Sequence, residues 1–403
     1  MNKSIVHMDL DTFFVSCERL ADSSLNGRPV IIGGLSDRGV VASCSYEART
    51  FGVHSAMPMK LAKTLCPEAV FIQGNSGIYS KYSKLVTEVI KDRSPLFEKA
   101  SIDEFYIDVS GMDHFFGCYQ WAQSIRETIL KETGLPISFG LSTSKTVAKI
   151  TTGEAKPNNH RQIEKGKEKE FLSPLLVKKI PMVGDQTYLR LRNMGVKYIK
   201  TLQEIPLEMM QKALGKNGAT IWKKGQGIDN TPVIPYHERK SISIERTFEK
   251  DTIDVNKLKS IITAMAENLA YQLRNGNKLT SIVSVRVRYS DFQTVSKQRK
   301  IAYTSTDHTL ILTVQELFKE VYQRRVLVRL IGVKYSGLVG GHYQINLFED
   351  NEKLIRLYQA LDHVRNRFGQ DAVKLAVGMG SRGIGRSNPF NGEPPIIPAH
   401  RRA

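Results

Sequence analysis

Residues 5–14, Ile5-Val6-His7-Met8-Asp9-Leu10-Asp11-Thr12-Phe13-Phe14, set two acids into an otherwise apolar, strand-like run. A second run of the same kind is Ser101-Ile102-Asp103-Glu104-Phe105-Tyr106-Ile107-Asp108. A carboxylate among apolar side chains is costly to bury unless it is paired or bound to metal. Hard oxygen ligands of this kind suit Mg²⁺, which takes one or two protein carboxylates and completes its shell with water and substrate phosphate. Two such ions a few ångströms apart are the usual apparatus of in-line phosphoryl transfer. Asp9, Asp103 and Glu104 are therefore read together as one metal-binding set. Asp11 or Asp108 alone reads better as an ordinary structural acid.

Strand geometry adds a constraint. Adjacent residues on an extended strand point to opposite faces, so Asp103 and Glu104 share one site only near a turn or bulge. Residues 96–101 and 105–109 read as two short strands, which puts Ile102-Asp103-Glu104 at a hairpin tip.

The chain has 403 residues, too many for one compact core, so two or more domains are expected. Its 58 Lys and Arg against 40 Asp and Glu give a net charge of +18. That excess favours a polyanionic partner, and nucleic acid over a membrane because no basic amphipathic anchor is evident. No apolar run approaches a membrane span, and Met1-Asn2-Lys3-Ser4 leads directly into a strand, so no signal peptide is expected. Cys17, Cys44, Cys66 and Cys118 are far apart and form no CxxC pair, which reads as reduced core thiols. The nine His show no metal spacing.

Along the chain, residues 1–9 and 75–165 read as one αβ unit carrying the acids, interrupted by a Gly- and Ser-rich insertion at 10–74. Residues 166–231 read as helical, with breaks at Gly184, Gly195, Gly215, Gly218 and Gly225. Pro181-Met182-Val183-Gly184 resembles half of a helix-hairpin-helix, which offers backbone N–H groups to phosphate, although Asp185 adds an acid at the turn. The two prolines of Thr231-Pro232-Val233-Ile234-Pro235 mark a linker reaching to residue 240. Strands at 241–248, 279–290, 294–305 and 326–338, with helices at 254–275 and 307–323, give the order βαββαβ of a ferredoxin-like unit. Within it Val283, Val285, Val287 and Tyr289 alternate with Ser284, Arg286, Arg288 and Ser290. One strand face is thus apolar and the other basic. Arg286 and Arg288 would stand about 7 Å apart, a spacing that suits neighbouring phosphates. Further on, Leu354, Leu357, Tyr358, Leu361, Val364 and Phe368 form a helical stripe closed by Gly369, read as a packing or partner helix. The Gly-, Arg- and Pro-rich residues from about 380 are expected to be disordered.

The acid-bearing runs also carry a family likeness. Met8-Asp9-Leu10-Asp11-Thr12-Phe13-Phe14-Val15-Ser16-Cys17-Glu18, Ser45-Tyr46-Glu47-Ala48-Arg49-Thr50-Phe51-Gly52-Val53, Ser101–Asp108 and Gly140-Leu141-Ser142-Thr143-Ser144-Lys145 through Ala155-Lys156-Pro157-Asn158 occur in order, with family-like spacing. Together they resemble the Y-family translesion DNA polymerases, in the polymerase IV branch. The resemblance implies an α+β multidomain, right-hand polymerase. Its palm would be 1–9 and 75–165, its fingers 10–74, its thumb 166–231, its linker 232–240 and its little finger 241–342, with a tail at 343–403. It implies low-fidelity, template-directed addition of deoxynucleotides, with bypass of damaged bases.

Roles follow from the same resemblance. Asp9 and Asp103 would bridge two Mg²⁺ ions, Glu104 would complete the ion that activates the primer hydroxyl, and the Leu10 carbonyl would help hold the triphosphate-bound ion. Arg49 offers a planar fork and Tyr46 a hydroxyl to the triphosphate. Lys156, placed before Pro157, offers an ammonium from a loop. Backbone N–H groups near Phe13 would add donors. Phe14 would be the steric gate against a ribose hydroxyl, and Phe13 a core aromatic. Ala42, Ser43 and Cys44 would form a lid of small residues over the nascent pair. Gln344-Ile345-Asn346-Leu347-Phe348 resembles a sliding-clamp motif, with Gln344 in a polar site and Leu347 and Phe348 in an apolar pocket. The expected partners are primer-template DNA, deoxynucleoside triphosphates and the sliding clamp, with no membrane. The protein would be a monomer, cytoplasmic and nucleoid-associated. The competing reading is a non-catalytic DNA-binding scaffold of a mutagenesis complex. Such relatives lose the acids that this chain keeps.

Overall fold

The computed structural model describes residues 3–112, 117–341, 352–369, 372–373 and 375–376. Gln344, Leu347, Phe348 and the tail from about 380 lie outside the described residues. The described chain divides into two units between His237 and Glu238, inside the linker expected from its prolines.

The first unit opens with β1 (Ile5–Leu10) and α1 (Phe13–Ala21). There follow β2 (Val30–Gly33), β3 (Val41–Cys44), α2 (Tyr46–Thr50), α3 (Met59–Leu65) and β4 (Val70–Ile72). The chain continues through α4 (Ser76–Arg93), β5 (Phe97–Lys99), β6 (Glu104–Asp108), α5 (Cys118–Thr133), β7 (Ile137–Ser142), α6 (Lys145–Ala155) and β8 (His160–Gln162). The main sheet has the order β5-β6-β1-β7-β8, and the insertion builds its own sheet, β3-β2-β4. β1 is thus an inner strand, antiparallel to both β6 and β7.

Its side chains alternate as the pleat demands. Val6, Met8 and Leu10 enter an apolar core with Phe105, Ile107, Phe139 and residues of α4 and α5. Phe13, Val15 and Cys17 of α1 join the same core, so α1 packs with the main sheet although the sequence reading groups it with the insertion. Ile5, His7 and Asp9 take the opposite face, where α6 lies: Ile5 packs with Ala148, His7 bonds to Thr152, and Asp9 meets Lys156 just past the helix end. The close approach of α6 depends on Gly140 of β7. A Cβ there would lie 2.5 Å from the Ala148 carbonyl oxygen and 2.6 Å from the Thr152 nitrogen. Ser144 caps the helix by accepting from Val147 N–H, and the helix stops at Lys156, whose backbone is extended before Pro157.

A helical segment follows: α7 (Glu168–Leu172), α8 (Asp185–Asn193), α9 (Ile199–Glu204) and α10 (Leu207–Gly225). It surrounds a core of Leu172, Val177, Ile180, Leu191, Ile199 and Leu202, among others. Asp185 is the first residue of α8, and its carboxylate is met by Lys178 Nζ at 2.9 Å. The chain returns to the main sheet at Val233, which packs with Ile5 and Tyr106, and Ile234 N–H donates to Glu98.

The second unit runs β9 (Ser241–Thr252), α11 (Val255–Asn275), β10 (Lys278–Tyr289), β11 (Thr294–Thr304), α12 (Asp307–Val321), β12 (Val328–Ser336), β13 (Val339–Gly340) and α13 (Glu352–Phe368). The βαββαβ order matches the sequence reading. The sheet order is β11-β10-β12-β9, with every neighbouring pair antiparallel, so each crossover helix spans one intervening strand. Val283, Val285, Val287 and Tyr289 are fully buried, while Arg286 is exposed on the other face.

The tail helix corrects one expectation. Leu357 and Phe368 of the proposed apolar stripe are 50% and 67% exposed. The buried positions are Tyr358, Asp362 and Arg365. Asp362 accepts from Arg274 at 2.6 and 2.9 Å, Arg365 donates to Glu267, and Tyr358 Oη accepts from His308 N–H at 3.0 Å. This helix docks largely through charges and hydrogen bonds, which an apolar periodicity does not register.

Candidate active site

The antiparallel register places Glu104 directly opposite Asp9. Asp103 precedes it in the turn between β5 and β6. There Ala100 and Ser101 N–H groups donate to the Glu104 carbonyl, and Ser101 Oγ accepts from the N–H groups of Asp103 and Glu104. Ser101 Oγ also donates to Asp103 Oδ1 at 2.5 Å. The Asp103 carbonyl accepts from Leu10 N–H at 3.1 Å, which fastens the hairpin tip to the end of β1. The hairpin expected from the sequence thus gathers Asp9, Leu10, Asp103 and Glu104 at one end of the sheet.

Cations from α6 and its end compensate these acids. Lys156 Nζ donates to Asp9 Oδ1 at 2.5 Å and to the Leu10 carbonyl at 3.3 Å. Lys149 Nζ donates to Glu104 Oε2. Lys145, one turn earlier, holds Glu98 with bonds of 2.7 and 2.8 Å. Lys149 was missed in the sequence. Its signal is the i, i+4 spacing of Lys145 and Lys149, which puts both on one face of the helix.

Burial pushes the Asp9 carboxyl up to about 7; the Lys156 ammonium opposes this, and the charges of Glu104 and Asp103 add to it. Burial also works against ionised Glu104, yet His7 and Lys149 together hold it at about 2. His7 is itself pushed down to about 4 by burial, so its ring is neutral at pH 7 and Lys149 is the cation that counts. His7 Nε2 stands 3.8 Å from Glu104 and has no hydrogen-bond partner, while Nδ1 meets Thr152 Oγ1 at 2.9 Å. Asp9 and Glu104 thus each meet one lysine, and burial still leaves the Asp9 carboxyl with a raised proton affinity. The oxygen-only donor set of Asp9, Asp103, Glu104 and the Leu10 carbonyl has the chemistry that Mg²⁺ takes. Among the described residues, no group of three His, Cys, Asp or Glu is drawn together closely enough to hold a metal as it stands.

Asp11 is a buried anchor. It accepts from Tyr46 Oη at 3.3 Å, Ser138 Oγ at 2.8 Å and Asn158 N–H at 2.7 Å. It therefore ties the insertion, β7 and the Lys156 loop together. The Arg49 guanidinium lies 4.7 Å from the centre of the Tyr46 ring and is exposed. Phe13 is buried in the core, whereas Phe14 is half-buried and stacks on Tyr79 at 4.3 Å, with the rings 15° from parallel. Ala42 is exposed and Ser43 half-buried, but Cys44 is fully buried among Val41, Ala48 and Met59. Cys44 is thus a core residue and not part of a lid; the β2–β3 register shifts at Ala42, so exposed Ala42 and buried Cys44 do not share a face as plain alternation would have it. All four cysteines are free and buried.

The chain is similar to known proteins. The model of the impB/mucB/samB family matches residues 8–153, and that of its C-terminal domain matches 239–347. The model described as the DNA polymerase-iota thumb domain matches 178–229. A DNA polymerase IV of Dehalococcoides mccartyi is 36% identical over 376 residues, covering 92% of this chain and 96% of its own. One from Treponema denticola is 33% identical over 380 residues, covering 93% and 96%. The chain belongs to the Y family of DNA polymerases, in the polymerase IV branch. Among solved structures, a Y-family polymerase chimera of Dbh and Dpo4 superposes with a TM-score of 0.75 at 26% identity, over 84% of this chain and all of that one. The crystal structure of DinB from Sulfolobus solfataricus gives 0.58 at 25% identity, with the same coverage. The Y-family member described here is a DNA-directed DNA polymerase of the lesion-bypass kind, with the right-hand architecture, and the scaffold reading is not favoured. No helix among the described residues is long and apolar enough to cross a membrane.

Proposed function

We propose that this polymerase extends a primer 3′-end by two-metal nucleotidyl transfer at the junction of β1 and the β5–β6 hairpin. The observation that carries the proposal is the register of Asp9 against Glu104, with Asp103 bonded to the same strand end. Asp9, Asp103, Glu104 and the Leu10 carbonyl would hold two Mg²⁺ ions. When bound, these ions supply activation of the primer hydroxyl and neutralisation of phosphate charge.

The remaining work falls to side chains. Lys156, Arg49 and Tyr46 bind and orient the triphosphate, with backbone N–H groups at the start of α1, near Phe13, as further donors. Lys156 changes partner on nucleotide binding, from Asp9 to phosphate. Phe14, backed by Tyr79, excludes a ribose 2′-hydroxyl. Ala42 and Ser43 press only lightly on the nascent pair, which admits damaged bases.

The palm is assigned to the β5-β6-β1-β7-β8 sheet with its helices, the fingers to β2–β4, the thumb to α7–α10 and the little finger to the second unit up to β13. Arg286 and Arg288 face the DNA backbone. Gln344, Leu347 and Phe348 form the clamp anchor of a monomeric polymerase at the nucleoid. Primer extension by purified protein with Mg²⁺, on intact templates and on a panel of templates with defined lesions, tests the proposal. Failure to extend on intact template overturns it; extension that stops at every lesion removes the bypass role.

A further inference from the structure

The outer face of the second unit's sheet carries an open groove of about 460 Å³. Glu245, Arg286, Lys297, Gly332 and Lys334 are among its lining residues, and Glu245 is the one acid of the lining. Three of these residues form a row across the sheet. Arg286 on β10 lies opposite Gly332 on β12, and Gly332 lies opposite Glu245 on β9. Two strand spacings separate the outer pair by about 10 Å between Cα atoms. Their side chains nevertheless meet over the intervening strand, where Arg286 Nη1 donates to Glu245 Oε1 at 2.7 Å.

Gly332 makes that reach possible. A Cβ at this position would lie 2.6 Å from Glu245 Cγ and 3.2 Å from the Ile244 carbonyl oxygen. Both partners are open to solvent, 47% and 40% exposed in their side chains. An exposed pair of this kind contributes little to stability. What it does change is the charge that the face presents. Arg288, two residues on, bonds to Thr294 Oγ1 at 2.9 Å and has no carboxylate partner among the described residues. Of the two arginines aimed outward from β10, one is therefore compensated and one is not.

We infer that Glu245 is a built-in competitor of nucleic-acid phosphate for Arg286, and that it weakens the grip of this face on the DNA backbone. The inference rests on the reading of the basic strand as a backbone-contacting surface. Carboxylate and phosphate compete for the same guanidinium donors, and with Nη1 held by Glu245 a phosphate must either displace it or settle for the remaining Nε–Nη2 edge. It must also approach against the carboxylate charge. The consequence is a polymerase that releases its template more readily than the basic face alone would allow.

The test uses full-length wild type, Glu245→Gln, Arg286→Ala and the double variant, with primer-template dissociation constants measured over a salt series. Glu245→Gln is expected to bind about three- to tenfold tighter. Its plot of log affinity against log salt should steepen by up to about 0.9, the share of one phosphate contact. In the double variant the gain should vanish. A gain of equal size with and without Arg286 shows bulk charge at work and overturns the inference, as does weaker binding by Glu245→Gln. Arg286→Ala without effect in both backgrounds refutes the backbone-surface reading itself. Gly332→Ala is an independent arm, because it displaces Glu245 while keeping both charges. A folded Gly332→Ala protein that binds no tighter than wild type contradicts masking by contact.

Discussion

Phe13 and Phe14 are neighbours with opposite surroundings, and the difference sets a prediction at the scale of single residues. Phe13 fills the core, while Phe14 stacks on Tyr79, whose hydroxyl donates to Glu18 at 2.5 Å. Phe14→Ala should raise ribonucleotide use relative to deoxyribonucleotide on the order of 10–100-fold, the range for relieving a clash of about one heavy atom. An unchanged ratio in extension assays would place the gate elsewhere. Asp9 sets a second prediction. Its folded-state pKa is about 7 against an ordinary 3.8, so the native protein holds the proton longer than the unfolded chain does. The stability tied to this group is complete below 3.8 and is lost as pH rises through about 7. In chelator, wild type should therefore lose thermal stability relative to Asp9→Asn as pH rises from about 3.8 to about 7, and Mg²⁺ should restore it at the upper end. Parallel melting curves for the two proteins would contradict the assignment. The acids were legible in the sequence because charge inside apolar strands needs a reason. His7 and Lys149 were not, since their importance arises only when Gly140 lets α6 settle on β1. Cys44 misled because small size suggested a lid, while its inward position depends on the register of β3.

Elements were legible to the extent that their pattern is apolar. The alternation in β10 and the spacing of α11 and α12 gave the second unit's βαββαβ order, and the hairpin at Asp103 followed from the need to bring two neighbouring acids to one end. The spatial order of the strands was not readable, because it is decided by long-range pairing. The docking of α13 was legible only in part: Tyr358 of the stripe is buried, but Asp362 and Arg365 share that face. Arg274 sits between Asp307, at 2.5 Å, and Asp362, at 2.6 Å, and Arg365 is paired with Glu267. Burial raises the carboxyls of Glu267 and Asp307, and the arginines oppose that rise. Removing one member leaves a buried charge without its partner. Arg365→Ala is expected to cost about 3–5 kcal/mol in denaturant unfolding, the range for a broken buried pair. A loss below about 1 kcal/mol, the scale of an exposed pair, would mean that α13 is not held by this contact.

For the molecule as a whole, the net charge of +18 foretold a polyanionic partner, and the order of motifs foretold the family. The described chain divides between His237 and Glu238, just past Pro235. Tethering belongs to this scale as well. Leu347→Ala with Phe348→Ala should leave synthesis on a short primer unchanged and abolish stimulation by the sliding clamp, because only the effective concentration at the primer end is altered. Equal stimulation of variant and wild type would rule out these residues as the anchor. The central claim is that Asp9, Asp103 and Glu104 form one metal-dependent centre for nucleotidyl transfer. Its most direct test is primer extension by Asp103→Ala and by Glu104→Ala, each checked for primer-template binding in the same buffer. The account predicts that either variant binds the primer-template about as well as wild type and extends it at least about 10²-fold more slowly, the scale of losing one group that stabilises developing charge. Near-normal extension by either variant would contradict it.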